Sequence, residues 1–574
     1  MSGRRGLIVV IILLVVIGIA IAAGFAIFWL MREPVSVAEG SVLEVNIGGG
    51  VPEIPSPNPF VELFQPSGLS LWELRQIFDR AATDDRIKAV YLEVHPLSMS
   101  WAEIEEIRDM MKAFRTSGKP IHSYLAVDVV TEQEIYLTAP TTAIYLTPGT
   151  GLLVNGLLAE VTFYKNTLDK LHIKPEFIQF KEYKNPGSYS RESMTPEYRA
   201  MLEGVVQDIQ NRFVKTVVAE RKIAEPRLLA LMSKGIVTDK QALENRLIDF
   251  RAYKHEVREK LKFSGGKRKE YKGISAGRYR SAASASGGGS RKKVAYVVAE
   301  GTITSGDSES MAGIVGGNTL ATNLRRLRDD KSVEGVILRV NSPGGSVVGS
   351  EMVWEEVRML EKAGKPVIVS MSGVAASGGY YIAMDARRIV TQPSTITGSI
   401  GVIFGKFDLS GFYDWIGMDI EQIKLAPNAD IFSFSSSLTD EQKQQIETWM
   451  AEVYNVFVTK AAKGRKMGYD QLEPKAHGRI YTGSQALNAG LVDDVGGIET
   501  AVARMKEALK MAKGEKLQLM LYPRPQSLWE SLSSGDLLPV RLSAPKSLRE
   551  WVEAEASAMS TPAPWVLAPN IRIN

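Results

Sequence analysis

Acyl-transfer chemistry needs a nucleophile, a base within reach of it and donors for the oxyanion, and this 574-residue sequence offers residue types for all three. Ser377 lies in "SGVAASGGYY" (372–381), between two alanines and two glycines and with no acid or base in the stretch. The turn "NSPGG" (341–345) precedes it, with Gly344 standing 33 residues before the serine. Its glycines let backbone N–H groups approach a reacting atom closely. A serine hydroxyl is a weak nucleophile and requires a base within hydrogen-bond reach. Lys184, in "FKEYKNPGSYSRES" (180–193), qualifies if burial keeps its amine neutral. Glu182 and Arg191 flank it, and a Glu182 turned inward would hold the amine charged.

Composition removes several other chemistries. The chain has no cysteine, which excludes a thiol nucleophile, thiolate metal sites and disulfides. Its five histidines form no HxxxH or HExxH pair, so a zinc hydrolase has no ligand set. Acids and bases nearly balance at a net charge of +4, which leaves no electrostatic footprint for nucleic acid. No cofactor and no metal are expected. Two rivals to nucleophilic serine chemistry stand on these residues. One is crotonase-type chemistry on an acyl-CoA, which also stabilises an oxyanion with backbone amides. The other is a non-catalytic membrane scaffold.

The elements that must position these residues are written twice, with a period of about 245–250. "LWELRQIFDRAATDDRIKAVYLEV" (71–94) matches "LATNLRRLRDDKSVEGVILRV" (320–340): an amphipathic helix, a polar turn and an apolar strand. "MTPEYRAMLEGVVQDIQNRFVKTVVAERK" (194–222) matches "LTDEQKQQIETWMAEVYNVFVTKAAKGRK" (438–466), each opening on a threonine cap. Helices alternating with short β-rich runs predict an α/β unit with a mostly parallel sheet. The copies differ where the chemistry sits. In place of "SPGG" the first has "HPLSMSWAE" (95–103), and in place of Ser377 it has Thr131 or Glu132. In place of Lys184 the second has Asn428. Each copy keeps what the other lost, which suggests one site built from both halves; Lys424 is the base nearest in sequence should the second half act alone.

The chain begins with Arg4 and Arg5, followed by an uncharged apolar run from Gly6 to Met31. That length exceeds the roughly 20 residues a membrane-crossing helix needs. The flanking arginines favour a cytoplasmic N-terminus, with the bulk of the chain outside. The expected organisation is a stub and transmembrane signal-anchor over 1–32, a first repeat over 33–263 and a Gly/Ser/Lys/Arg-rich flexible linker over 264–292. A second repeat over 293–522 and a tail over 523–574 follow; the tail has no repeat partner.

At "VNSPGG" (340–345), "AASGGYYIA" (375–383), "TGSIGV" (397–402) and "EYKN" (182–185) the sequence resembles the signal peptide peptidase A family, also called protease IV, in its long duplicated form. The resemblance covers roughly residues 40–510 and the N-terminal anchor. It implies two tandem crotonase/Clp-protease-like α/β units and a membrane-attached serine protease that degrades cleaved signal peptides. It also implies a bacterial-type inner membrane location with the catalytic part facing outward, and a bowl-shaped homo-oligomer, tetrameric for the long form. Carried residue by residue, it makes Ser377 the nucleophile, Lys184 the general base and Ser399 the residue that orients the lysine. The oxyanion hole would come from the amides of Gly344 or Gly345 and of Gly378.

Overall fold

The computed structural model describes residues 35–55, 68–184, 187–264, 269–282, 292–308, 313–512, 515, 517–524, 565–567 and 572–573. The predicted anchor over 1–32 lies outside them. Among the described residues no helix is long and apolar enough to cross a membrane.

The first unit runs β1 (Ser41–Gly49), α1 (Leu71–Thr83), β2 (Ile87–Leu97), α2 (Trp101–Arg115), β3 (Ile121–Leu125), α3 (Glu132–Thr138), β4 (Ala143–Leu146), β5 (Ala159–Glu160), β6 (Lys174–Gln179), α4 (Pro196–Arg221), β7 (Phe250–Arg251) and β8 (Gly273–Ser275). The second runs β9 (Lys292–Glu300), β10 (Thr302–Thr304), β11 (Ile314–Gly316), α5 (Gly317–Asp329), β12 (Val333–Ser342), β13 (Gly344–Ser346), α6 (Val347–Lys362), β14 (Val367–Ala376), α7 (Gly378–Tyr381), β15 (Ile396–Gly398), β16 (Ile403–Asp408), α8 (Asp440–Gly464), β17 (Ile480–Thr482), α9 (Ile498–Ala508) and β18 (Leu517–Tyr522). Two short strands of the tail complete the list, β19 (Trp565–Leu567) and β20 (Arg572–Ile573).

Each unit carries a mainly parallel sheet, in the orders β7-β4-β3-β2-β1-β8 and β17-β15-β14-β12-β9-β18. The central strands β2 and β12 are near-continuous apolar runs, buried along most of their length, as parallel strands covered on both faces must be. Helices begin where the sequence supplies a cap. Ser70 and Glu73 close a capping box on α1, Ser100 and Glu103 on α2, and Thr439 and Gln442 on α8. The α/β layout and the two-fold repetition agree with the sequence reading.

The predicted linker needs correction over 269–282. Gly273–Ser275 pairs in parallel with β1 as an edge strand of the first sheet. The next helical turn, Ala276–Ser281, buries Tyr279 against that unit's core. Backbone ladder bonds and one buried aromatic outweigh the Gly/Ser/Lys/Arg composition that suggested a flexible stretch.

The two units are not independent. Helix α2 of the first lies against β14 of the second. Between them Arg339, 1% exposed, reaches Glu53 at 2.9 Å and Glu106 at 3.1 Å, and donates to Ser370 and Ser372. Burial opposes its charge, but Glu53 and Glu106 outweigh that and keep the guanidinium protonated. Glu106 also accepts the N–H of Ile498, the first residue of α9, at 2.8 Å. A third sheet joins the halves directly: β6 of the first unit pairs antiparallel with β16 of the second, Ile178 opposite Phe404.

Candidate active site

Strand β14 ends at Ala376, and the chain turns sharply through Ser377 into α7. Ser377 has φ 58° and ψ −114°, a region costly for any residue with a Cβ. Two backbone bonds hold it there: its N–H donates to Gly398 O at 2.8 Å, and Tyr381 N–H donates to its carbonyl at 2.8 Å. The strained turn pushes the hydroxyl out of the sheet's end, away from the helix amides it would otherwise cap.

Lys184 arrives from the other unit, five residues beyond β6. Its Nζ lies 2.5 Å from Ser377 Oγ, 2.9 Å from Ser399 Oγ and 3.1 Å from the Ser399 carbonyl. The side chain is 1% exposed and Ser377 is fully buried. Burial alone drives the lysine well below its ordinary value. Glu182 turns the other way, its carboxylate 2.8 Å from Nδ1 of His477. The inward Glu182 that would hold Lys184 charged is therefore not found. Lys424 pairs with Asp430 at 2.9 Å, and Asn428 reaches Gln445; neither approaches the serine.

The Gly344–Gly345 turn lies against the start of α7. Gly344 and Gly345 have φ 106° and 150°. A Cβ on Gly378 would stand 3.1 Å from Gly345 N and 2.6 Å from Ser350 Oγ, so the two backbones approach as only glycine permits. Of the predicted donors, Gly344 gives its N–H to Ser342 Oγ at 3.1 Å. Sequence reasoning missed Gly478, whose φ is 79° and whose Cβ would fall 2.4 Å from Lys184 Cβ. It roofs the lysine, and only a positive φ unseen in the sequence marks it.

The tail, unreadable in sequence, also reaches this place. Backbone of β19 pairs antiparallel with β13, Gly345 opposite Val566, and with β16, Ile403 opposite Trp565. Strand β19 thus lies between β13 and β16. Among the described residues no group of His, Asp or Glu could hold a metal ion.

The chain is similar to known proteins along most of its length. The model of peptidase family S49 matches residues 113–266 and 359–512, one stretch in each unit. A chloroplastic serine protease SPPA of Arabidopsis thaliana is 32% identical over 507 residues, spanning 87% of this chain and 74% of that protein. Protease 4 of Salmonella typhi is 32% identical over 560 residues, spanning 93% of this chain and 87% of that one. A putative signal peptide peptidase of Enterococcus faecium is 33% identical over 226 residues, 39% of this chain and 66% of that one.

Proposed function

The chain belongs to peptidase family S49 and is a serine peptidase; from that premise we propose that it hydrolyses peptides, signal-peptide remnants among them, with Ser377 as nucleophile and Lys184 as general base. The observation that carries this is the 2.5 Å approach of Lys184 Nζ to Ser377 Oγ in a pocket without any carboxylate partner. The two units are read as Clp-protease-like, with the anchor over 1–32 holding the chain to a membrane and the catalytic part outside.

The neutral amine takes the Ser377 proton as Oγ attacks the scissile carbonyl carbon. The oxyanion so formed is met by the amides of Gly344 or Gly345 and of Gly378, and such preorganised donors supply a large share of the rate. The lysine then returns its proton to the leaving nitrogen as the C–N bond breaks, leaving an ester on Ser377. Water, deprotonated by the same amine, cleaves that ester and releases the acid. Ser399, accepting from Nζ through Oγ and its carbonyl, aims the amine at Ser377. Substrate backbone extends between β13 and β16, in the manner of β-strand addition; the antiparallel seating of β19 there supports this.

A fluorophosphonate probe tests the assignment. Wild type is expected to label at Ser377, and Ser377→Ala not to label. Labelling that survives Ser377→Ala would sink it.

A further inference from the structure

The acid nearest to Lys184 in sequence is held by a residue of the other unit. Glu182 stands two positions before the lysine, and its carboxylate lies 2.8 Å from Nδ1 of His477. The opposite ring nitrogen, Nε2, lies 2.7 Å from Glu473, and Lys181 reaches that same carboxylate at 3.0 Å. Lys181 and Glu182 come from the first unit, Glu473 and His477 from the second. Burial works to raise the Glu182 carboxyl, but its bond to His477 outweighs that and keeps the group below its ordinary value, so it stays an anion. Its side chain is 44% exposed, whereas Lys184 is 1% exposed.

The histidine belongs to the loop that encloses Lys184 and Ser399. Its carbonyl accepts the Tyr183 N–H at 3.1 Å, the Gly478 N–H donates to the Ile400 carbonyl at 2.7 Å, and the Arg479 carbonyl accepts the Ser399 N–H at 2.7 Å. The backbone of 477–479 therefore holds the residue before the lysine and, on its other side, Ser399 and Ile400. His477 itself takes φ 54°, and its N–H donates to the Tyr454 hydroxyl of α8 at 3.3 Å. Arg479 lies over the Tyr183 ring, 5.6 Å from its centre. The imidazole is thus fixed by its own backbone at the place where it meets Glu182.

The repeat shows the same arrangement missing where no base is kept. The first unit's counterparts of His477, Gly478 and Arg479 are Ser233, Lys234 and Gly235, and that of Glu473 is Leu229. In the second unit the counterpart of Glu182 is Ala426, two positions before Asn428. Histidine, both acids and the lysine are therefore kept or lost together.

We propose that His477 is a positioning residue for the peptidase: by binding the Glu182 carboxylate it keeps that anion out of the Lys184 pocket. The inference rests on Lys184 as the general base. The amine is bonded to Ser377 and Ser399 and meets no charge there; burial alone lowers it. An anion brought within about 4–6 Å would favour the ammonium form. A charged lysine cannot take the Ser377 proton. Freeing Glu182 therefore does not remove the base but raises the pH at which it becomes neutral.

The test compares pH profiles of kcat/KM for the full-length protein in detergent. His477→Ala should move the rising limb to higher pH by about one unit or more, the effect of one nearby charge, and leave the plateau less affected. Adding Glu182→Gln to His477→Ala should bring the limb back toward wild type, because the amide carries no charge. A folding defect alone would instead lower activity at every pH, and the second substitution would not relieve it. An unmoved limb in His477→Ala would overturn the proposal, as would a displaced limb that Glu182→Gln fails to bring back. If His477→Ala does not fold, Glu473→Gln takes its place; it loosens the ring's other hold and should move the limb the same way by less, and an unmoved limb there counts equally against the proposal. A wild-type profile with no rising limb would remove the lysine base itself and this inference with it, so the two failures are told apart.

Discussion

Beyond β3 of the first unit and at the end of β14 of the second, the two units do opposite things with the same architecture. In the second, β14 breaks into a strained turn and presents Ser377 beside Lys184. In the first, Thr131 takes that position with φ −109° and caps α3 in an ordinary way. Glu132 follows it, buried, and its carboxylate accepts the N–H of Gly156 at 2.7 Å. Burial pushes that carboxyl up, and it has a loop amide to stabilise rather than a substrate. Gly401, the counterpart of Gly156, instead lies against Lys184, where an added Cβ would stand 3.4 Å from its Cδ. One loop position therefore braces a glutamate in one unit and a lysine in the other. A duplicated fold can divide a site between copies once each copy keeps only part of it.

The comparison is broken most directly at the serine. Ser377→Ala should abolish peptide hydrolysis while the circular dichroism spectrum and melting temperature stay near wild type, because one buried oxygen is lost among small residues. Hydrolysis above a few per cent of wild type would move the nucleophile elsewhere. Next comes the lysine that crosses from the other unit. Lys184→Ala should lower kcat/KM by about 10²–10⁴-fold, the usual worth of general-base assistance. Lys184→Arg should not restore it, since a guanidinium stays protonated. The pH profile follows from the sign of the shift. Only the neutral amine accepts a proton, so kcat/KM should rise with pH through the depressed lysine value, below the ordinary lysine range, and then level off. A flat profile in wild type over that range contradicts a lysine base.

Ser399→Ala should be milder, about tenfold in kcat/KM for the loss of one hydrogen bond to the amine. Because the Ser399 carbonyl remains, the pH profile should shift rather than vanish, which a purely structural defect would not do. The smallest effect should come from the first unit. Glu132→Ser, placed in the Ser377→Ala background, should create no activity above blank. It would lack the strained turn, the paired glycines and a lysine. Any probe labelling at position 132 would show that the first unit retains more of the site than its geometry implies.

How much of this was readable beforehand differs from residue to residue. Ser377 and Lys184 were legible because duplication exposes what each copy lost, and because small residues around a serine and glycines before it leave a mark in composition. The parallel sheets were legible because β2 and β12 are long apolar runs. The role of Gly478 was not, since a positive φ leaves no trace in sequence when many glycines are present. Nor was the edge strand Gly273–Ser275: three residues carry no periodicity, and only the ladder to β1 defines them. The direction of Glu182 depended on His477, nearly 300 positions away, and a contact of that range has no local signature.

The arginine between the units bears on how the molecule comes apart under heat. Were the first unit to melt alone, the second would lose Glu53 and Glu106, which balance Arg339 and the latter of which also holds the first amide of α9, and the strand that covers Phe404. Each loss lowers the stability of what remains, so neither half has a melting point of its own. Calorimetry should record one heat-absorption peak for the described body, and a destabilising substitution in either half should move that whole peak.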